Sequence, residues 1–262
     1  MDKSLPDVEP VEMGFKPQQD FKGAAVDVAN DFGTPNLLFM YYIPFIPDDT
    51  KEDLGAIQDE FQTWNAWELG QAEAQLIGHV NKGNLPSDDS VASRITRNNF
   101  RSKAISVFRA TGEAWLTVSS NFSVQRAVEA GEDDINGATL SELRKLATDS
   151  KFPDQFGVVI NTLGDRIDRD SESKLFYTHV VYRYDGNSKT FRPVIKDSTF
   201  TIKMVDDNDD GDSNRVSVNI SLLTYSYNFD RRFWRDHRHQ GAAPIKRGEP
   251  IRAQMSFDFF DG

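Results

Sequence analysis

The densest run of ligand oxygens in the chain is Asp206-Asp207-Asn208-Asp209-Asp210-Gly211-Asp212-Ser213-Asn214. Asp206, Asn208 and Asp210 stand at alternate positions, Gly211 follows them, and Asn214 comes ninth. That is the order in which a calcium loop presents its oxygens, with glycine allowing the sharp turn. The twelfth position is Ser217 rather than a bidentate glutamate, and the flanks alternate as strands do. Two expectations follow. Asp206, Asn208, Asp210 and Asn214 hold a low-affinity calcium ion, or the stretch is a solvated acidic loop that keeps a sheet edge from pairing.

A second stretch reverses the charge of the chain. Residues 231–252 carry Arg231, Arg232, Arg235, Arg238, Lys246, Arg247 and Arg252 against Asp236 and Glu249, a net +5 within a protein of −11. Phe233 and Trp234 are interleaved with the arginines. Aromatic and guanidinium groups so mixed stack on, and hydrogen-bond to, phosphates, sugars or acidic partners. Arg231, Arg232, Trp234, Arg235 and Arg238 are therefore the candidate partner or anion contacts. The competing expectation is internal, with these arginines neutralising the acidic run at 206–212.

His237 and His239 are two apart, which on a strand would face both imidazoles one way, toward a shared metal. The glutamate that a cupin-like site wants four residues later is Ala243, so exposed histidines in a basic loop are the expectation. Asp165, Asp168 and Asp170 alternate with Arg166 and Arg169, which reads as a self-neutralised turn. The chain has no phosphate-binding glycine loop, no nucleophile elbow and no paired-histidine zinc motif. Catalytic residues are therefore not expected, and no cofactor beyond calcium is implied.

The elements that would hold these groups follow from periodicity. Thr50 with Asp53 forms a capping box, and Leu54, Ile57, Phe61 and Trp64 recur at helical spacing. The stripe continues to Val80, Gly83 closes it, and a break is expected near Gly70. Residues 36–46 read as a buried strand, 104–110 and 114–124 as a strand pair, and 124–130 as a short helix. A further helix is expected from Thr139, where Glu142 completes a second capping box. From Phe156 onward the pattern is β: strands over 174–184 and 191–195 flank Asp185-Gly186-Asn187-Ser188, a hairpin turn. Further strands cover 199–204, 216–229 with a slip at Leu222-Leu223, and 251–260.

The fold class is therefore α+β, with helices in the N-terminal half and a predominantly antiparallel sheet, sandwich-like or barrel-like, in the C-terminal half. Prolines at 6, 10 and 17 make residues 1–20 an extended arm. Residues 21–262 form one domain with a soft boundary near 150.

A net charge of −11 argues against general nucleic-acid binding, and the absence of cysteine excludes disulfides and thiolate metal sites. No apolar run reaches the roughly 20 residues that a transmembrane helix needs. The N-terminal residues lack the apolar core of a secretory leader, so a cytoplasmic protein, or one released by another route, is expected. Together these features fit a non-enzymatic structural or interaction protein that forms a homo-oligomer or binds a protein partner, as in a viral, phage-like or bacterial assembly. Two alternatives stay open. One is a membrane-acting β-rich toxin. The other is a carbohydrate-binding or hydrolytic protein using Trp234, arginines and carboxylates.

Overall fold

The computed structural model describes residues 37–43, 51–111, 113–131, 133–149, 173–187, 189–205 and 215–260. In chain order they form β1 (Leu37–Ile43), α1 (Lys51–Asn81), α2 (Val91–Thr111), β2 (Leu116–Gly131), α3 (Ile135–Asp149), β3 (Ser173–Asp185), β4 (Thr190–Val205) and β5 (Arg215–Phe229). Then come α4 (Arg231–His237), a 3-10 turn at Arg238–Gly241, α5 (Ala242–Met255) and β6 (Ser256–Phe260). The strands form one six-stranded sheet in the order β2-β5-β4-β3-β1-β6. β3, β4 and β5 follow one another as an antiparallel meander, while β1 and β6 pair in parallel from Phe39 opposite Ser256 to Ile43 opposite Phe260. The α+β expectation holds. The sheet is open rather than closed into a barrel.

The chain forms two compact units. Unit 1 takes residues 1–119, 178–196 and 226–262, and unit 2 takes 120–177 and 197–225. The units interleave along the sequence, so no single cut, at 150 or elsewhere, separates them.

In unit 1, α1 is the central element. Leu54, Ile57, Phe61 and Trp64 are buried on the predicted stripe, and every residue from Trp64 to Gly70 is buried. Two full turns of the helix are thus enclosed on all sides, which explains why its sequence is not amphipathic throughout. The expected break at Gly70 is absent. Gly70 and Gly248 are instead points of close backbone approach between α1 and α5. A methyl group at Gly70 would collide with the Pro244 carbonyl, and one at Gly248 with the Ala66 carbonyl. Gly83 closes α1 with a φ of 72°, the left-handed conformation expected of it.

Three local expectations are corrected. Residues 104–110 are the end of α2 and not a strand, because Phe100, Ala104, Ile105 and Phe108 are buried at helical spacing together with Arg97, Arg101 and Arg109. Residues 124–130 belong to β2, which lies beside β5 in the sheet, and not to a helix. Residues 251–255 complete α5, so the last strand begins only at Ser256.

In unit 2 the core comes from Ile135, Leu143 and Leu146 of α3, Phe200 and Ile202 of β4, and Val218, Ile220 and Leu222 of β5. β5 is unbroken at Leu222-Leu223. Its buried even positions run on to Thr224, and the phase changes only before Tyr227.

Candidate functional site

Two arrangements in the described residues go beyond simple packing. The first is a buried charge network in unit 1. The α1 helix presents Glu60, Glu68 and Glu73 inward, and each meets arginine. Glu73 accepts two hydrogen bonds from Arg101, at 2.7 and 3.1 Å, and Arg101 also donates to Asn98 Oδ1 at 2.8 Å. Glu68 accepts two from Arg109, both at 2.7 Å, and a third from Asn65 Nδ2 at 3.2 Å. Both side chains of the Glu68–Arg109 pair are fully buried. Arg109 donates further to Thr178 Oγ1 at 2.9 Å and lies 4.8 Å from the Trp64 ring centre and 5.9 Å from that of Tyr227. Fork-on-carboxylate geometry of this kind offsets the cost of burying both charges, and removing one partner would leave the other bare.

Glu113, between α2 and β2, completes this network. Trp64 Nε1 donates to its Oε2 at 2.9 Å, whereas Oε1 has no hydrogen-bond partner among the described residues. Burial first, and the Glu68 carboxylate next, push the Glu113 carboxyl well above the ordinary value of 4.5, against the pull of Arg109. The Glu113 carboxyl is thereby biased toward its protonated form, and Glu68, Arg109 and Glu113 are all buried.

The second arrangement is one edge of the sheet that the described residues form. β2 is a terminal strand of that sheet and is exposed at every position from Thr117 to Ser123. In unit 2, Phe122 keeps 39% of its surface exposed and Leu223, on the adjoining β5, keeps 38%. Residues 116–125 (LTVSSNFSVQ) carry no charge. Arg126 and Glu129 come only in the outer half of the strand, and Arg126 Nε lies 3.5 Å from Glu142 of α3. Exposed edges are ordinarily blunted by charge, proline or a bulge. This one is long and has neither charge nor proline over ten residues.

The sequence-predicted contacts sit elsewhere. Arg231, Arg232, Trp234 and Arg235 belong to α4, and Arg238 opens the following turn. Asp230 caps α4 by accepting the Phe233 amide at 3.0 Å, and the helix so started turns Trp234 inward. Trp234 is fully buried, with its ring centre 5.1 Å from that of Trp115 and 6.2 Å from that of Trp67. It is a core residue with no surface for a partner.

The arginines find acids on α1. Arg231 Nε donates to Glu60 Oε2 at 2.6 Å, Arg235 lies 3.7 Å from Glu60 Oε1, and Arg238 Nη1 donates to Asp59 Oδ2 at 2.6 Å. Arg232 stays 87% exposed, 3.8 Å from Asp236. His237 stacks on Phe233 within α4, and the basic loop expected around it is helical. Asp206, Asn208, Asp210 and Asn214 lie outside the described residues, as does the 1–20 arm.

Sequence reading missed both arrangements. Glu113 stands in Thr-Gly-Glu-Ala-Trp, which reads as a turn, and nothing local signals its burial. The alternation of Val118, Phe122 and Val124 with polar residues was a strand signal, but whether a strand is central or terminal depends on pairing far along the chain.

No protein-family model matches the chain, and no curated protein does. Among solved structures, the Evf virulence factor is similar at a TM-score of 0.40 and 10% identity, over 88% of this chain and 94% of that one. A likeness of that size carries no argument about activity.

Proposed function

We propose that this protein works by association, and that the open edge of β2 takes the same edge of a second copy. The observation that carries this reading is the uncharged, exposed stretch around Phe122 at the rim of the sheet. Backbone donors and acceptors along such an edge satisfy themselves by adding a strand, and exposed side chains supply the accompanying apolar contact. A two-fold antiparallel arrangement sets one surface against itself. Between residues 120 and 125 it brings neutral residues against neutral residues, so no like charges face each other.

The test is light scattering on the purified chain across a range of concentrations. The expected result is a dimer that accumulates with concentration, and a monomer when Asn121→Lys and Phe122→Lys are combined, with the circular dichroism of the fold unchanged. A wild-type protein that stays monomeric throughout overturns the reading.

A further inference from the structure

Charge counting within unit 1 leaves a proton to place. Two carboxyls, Glu68 on α1 and Glu113 before β2, face one another, and among the described residues Arg109 on α2 is the cation that acts on Glu113. Arg109 also meets three uncharged groups: Trp64 from α1, Thr178 from β3 and the Tyr227 phenol from β5. If both carboxyls were ionised, Glu68, Glu113 and Arg109 would together carry a net negative charge, with Glu68 and Arg109 at zero solvent exposure. A low-dielectric interior does not tolerate that.

The hydrogen bonds say which carboxyl holds the proton. Glu68 accepts from both Arg109 nitrogens and from Asn65, three donors that stabilise a carboxylate. Glu113 accepts from Trp64, and with both carboxyls counted as acceptors its second oxygen has no donor. A proton on Glu113 makes it the donor in the hydrogen bond it shares with Glu68. The proton belongs on Glu113.

We propose that Glu68, Arg109 and Glu113 form a proton latch at the joint between α2 and β2, closed while Glu113 is protonated and loosened when base removes the proton. The joint is local: the Glu113 carbonyl accepts the Leu116 amide at 3.1 Å, and Leu116 begins β2. Ionised Glu113 would add a second bare carboxylate beside Glu68 at the point where the strand is anchored. This latch stands independently of strand pairing, since it acts within a single chain.

The direction of the pH effect follows from linkage. The folded chain keeps a proton that the unfolded chain releases near the ordinary glutamate value of 4.5. The stabilisation is complete below that value and is lost as pH climbs toward the raised one. One retained proton makes the folding equilibrium constant fall by about tenfold per pH unit across that window.

Urea unfolding of the full chain, repeated at intervals from about pH 5 to about pH 9, reads this slope directly. Glu113→Gln keeps an oxygen for Trp64 but cannot ionise. It is expected to remove one proton from the slope and to leave the protein more stable than wild type at the alkaline end. Glu68→Gln makes Glu113 the remaining carboxylate opposite Arg109, so it is expected to flatten the slope while lowering stability at the acidic end, where wild type keeps the Glu68–Arg109 pair. A Glu113→Gln protein with the wild-type slope overturns the latch. Should that variant fail to fold, infrared spectroscopy of the wild type decides. A protonated carboxyl band at neutral pH that disappears on unfolding is expected, and its absence overturns the proposal.

Discussion

At the scale of single residues, Trp64 joins the apolar core to the charge network. Its ring is fully buried, 5.0 Å from Phe229 and 6.3 Å from Phe61, with the Arg109 guanidinium at 4.8 Å. Its indole nitrogen is the hydrogen-bond donor to Glu113. Two substitutions separate these roles. Trp64→Ala removes the bulk as well as the donor and should lower the unfolding free energy by about 3–5 kcal/mol. Trp64→Phe keeps most of the packing and strands one buried carboxyl oxygen, a loss of about 1–3 kcal/mol. Urea melts at neutral pH measure both, and a Trp64→Phe protein as stable as wild type would show that the hydrogen bond contributes nothing. Asp88, before α2, titrates at the other extreme. Ser90 and then Ser93 hold its carboxyl at about 2, below the ordinary 3.8. Its contribution is present above the ordinary value and disappears as pH falls toward 2, opposite in sign to Glu113.

At the scale of elements, the contact between α1 and α5 depends on two glycines that meet backbone, not side chains. The carbonyls of Pro244 and Ala66 occupy the space a methyl would need at Gly70 and Gly248. Arg247 seals the crossing by donating to the Gly70 carbonyl at 3.1 Å. Gly70→Ala or Gly248→Ala should therefore push the helices apart and cost about 1–3 kcal/mol. Gly78 lies in the same helix with open space around its Cα, and Gly78→Ala should stabilise by about 0.5–1 kcal/mol through helix propensity. Chemical denaturation of the three variants checks the contrast, and a stable Gly70→Ala protein would remove the close-crossing account.

These elements also show what a sequence reveals. The α1 stripe, the Gly83 stop and the Asp185 turn, where the Asp185 side chain accepts the Asn187 amide at 3.0 Å, were legible because each depends on neighbours in the chain. The end of α2 was not. Arg97, Arg101 and Arg109 occupy core positions there, and a buried arginine looks polar until its distant partner is known. The same holds for the candidate sites. The charge reversal at 231–252 was visible, but its counter-ions on α1 lie more than 170 positions earlier in the chain.

At the scale of the whole molecule, charge opposes the association proposed for β2, and that opposition yields a test. Each copy carries −11, so two copies repel at long range. The strand that would pair is uncharged from Leu116 to Gln125, so salt has no local attraction to weaken there. Screening shortens the reach of the repulsion from about 30 Å at 0.01 M salt to about 10 Å at 0.1 M and about 3 Å at 1 M. Dimerisation through β2 should therefore tighten as salt is raised. A contact built instead on Arg232 and Arg235, which are 87% and 56% exposed, would pair opposite charges and weaken over the same range. Sedimentation velocity at fixed protein concentration and three salt levels separates the two. A dimer fraction that rises with salt supports the neutral edge. One that falls with salt moves the contact to the basic helices, and the paired lysine substitutions at Asn121 and Phe122 should then leave it intact.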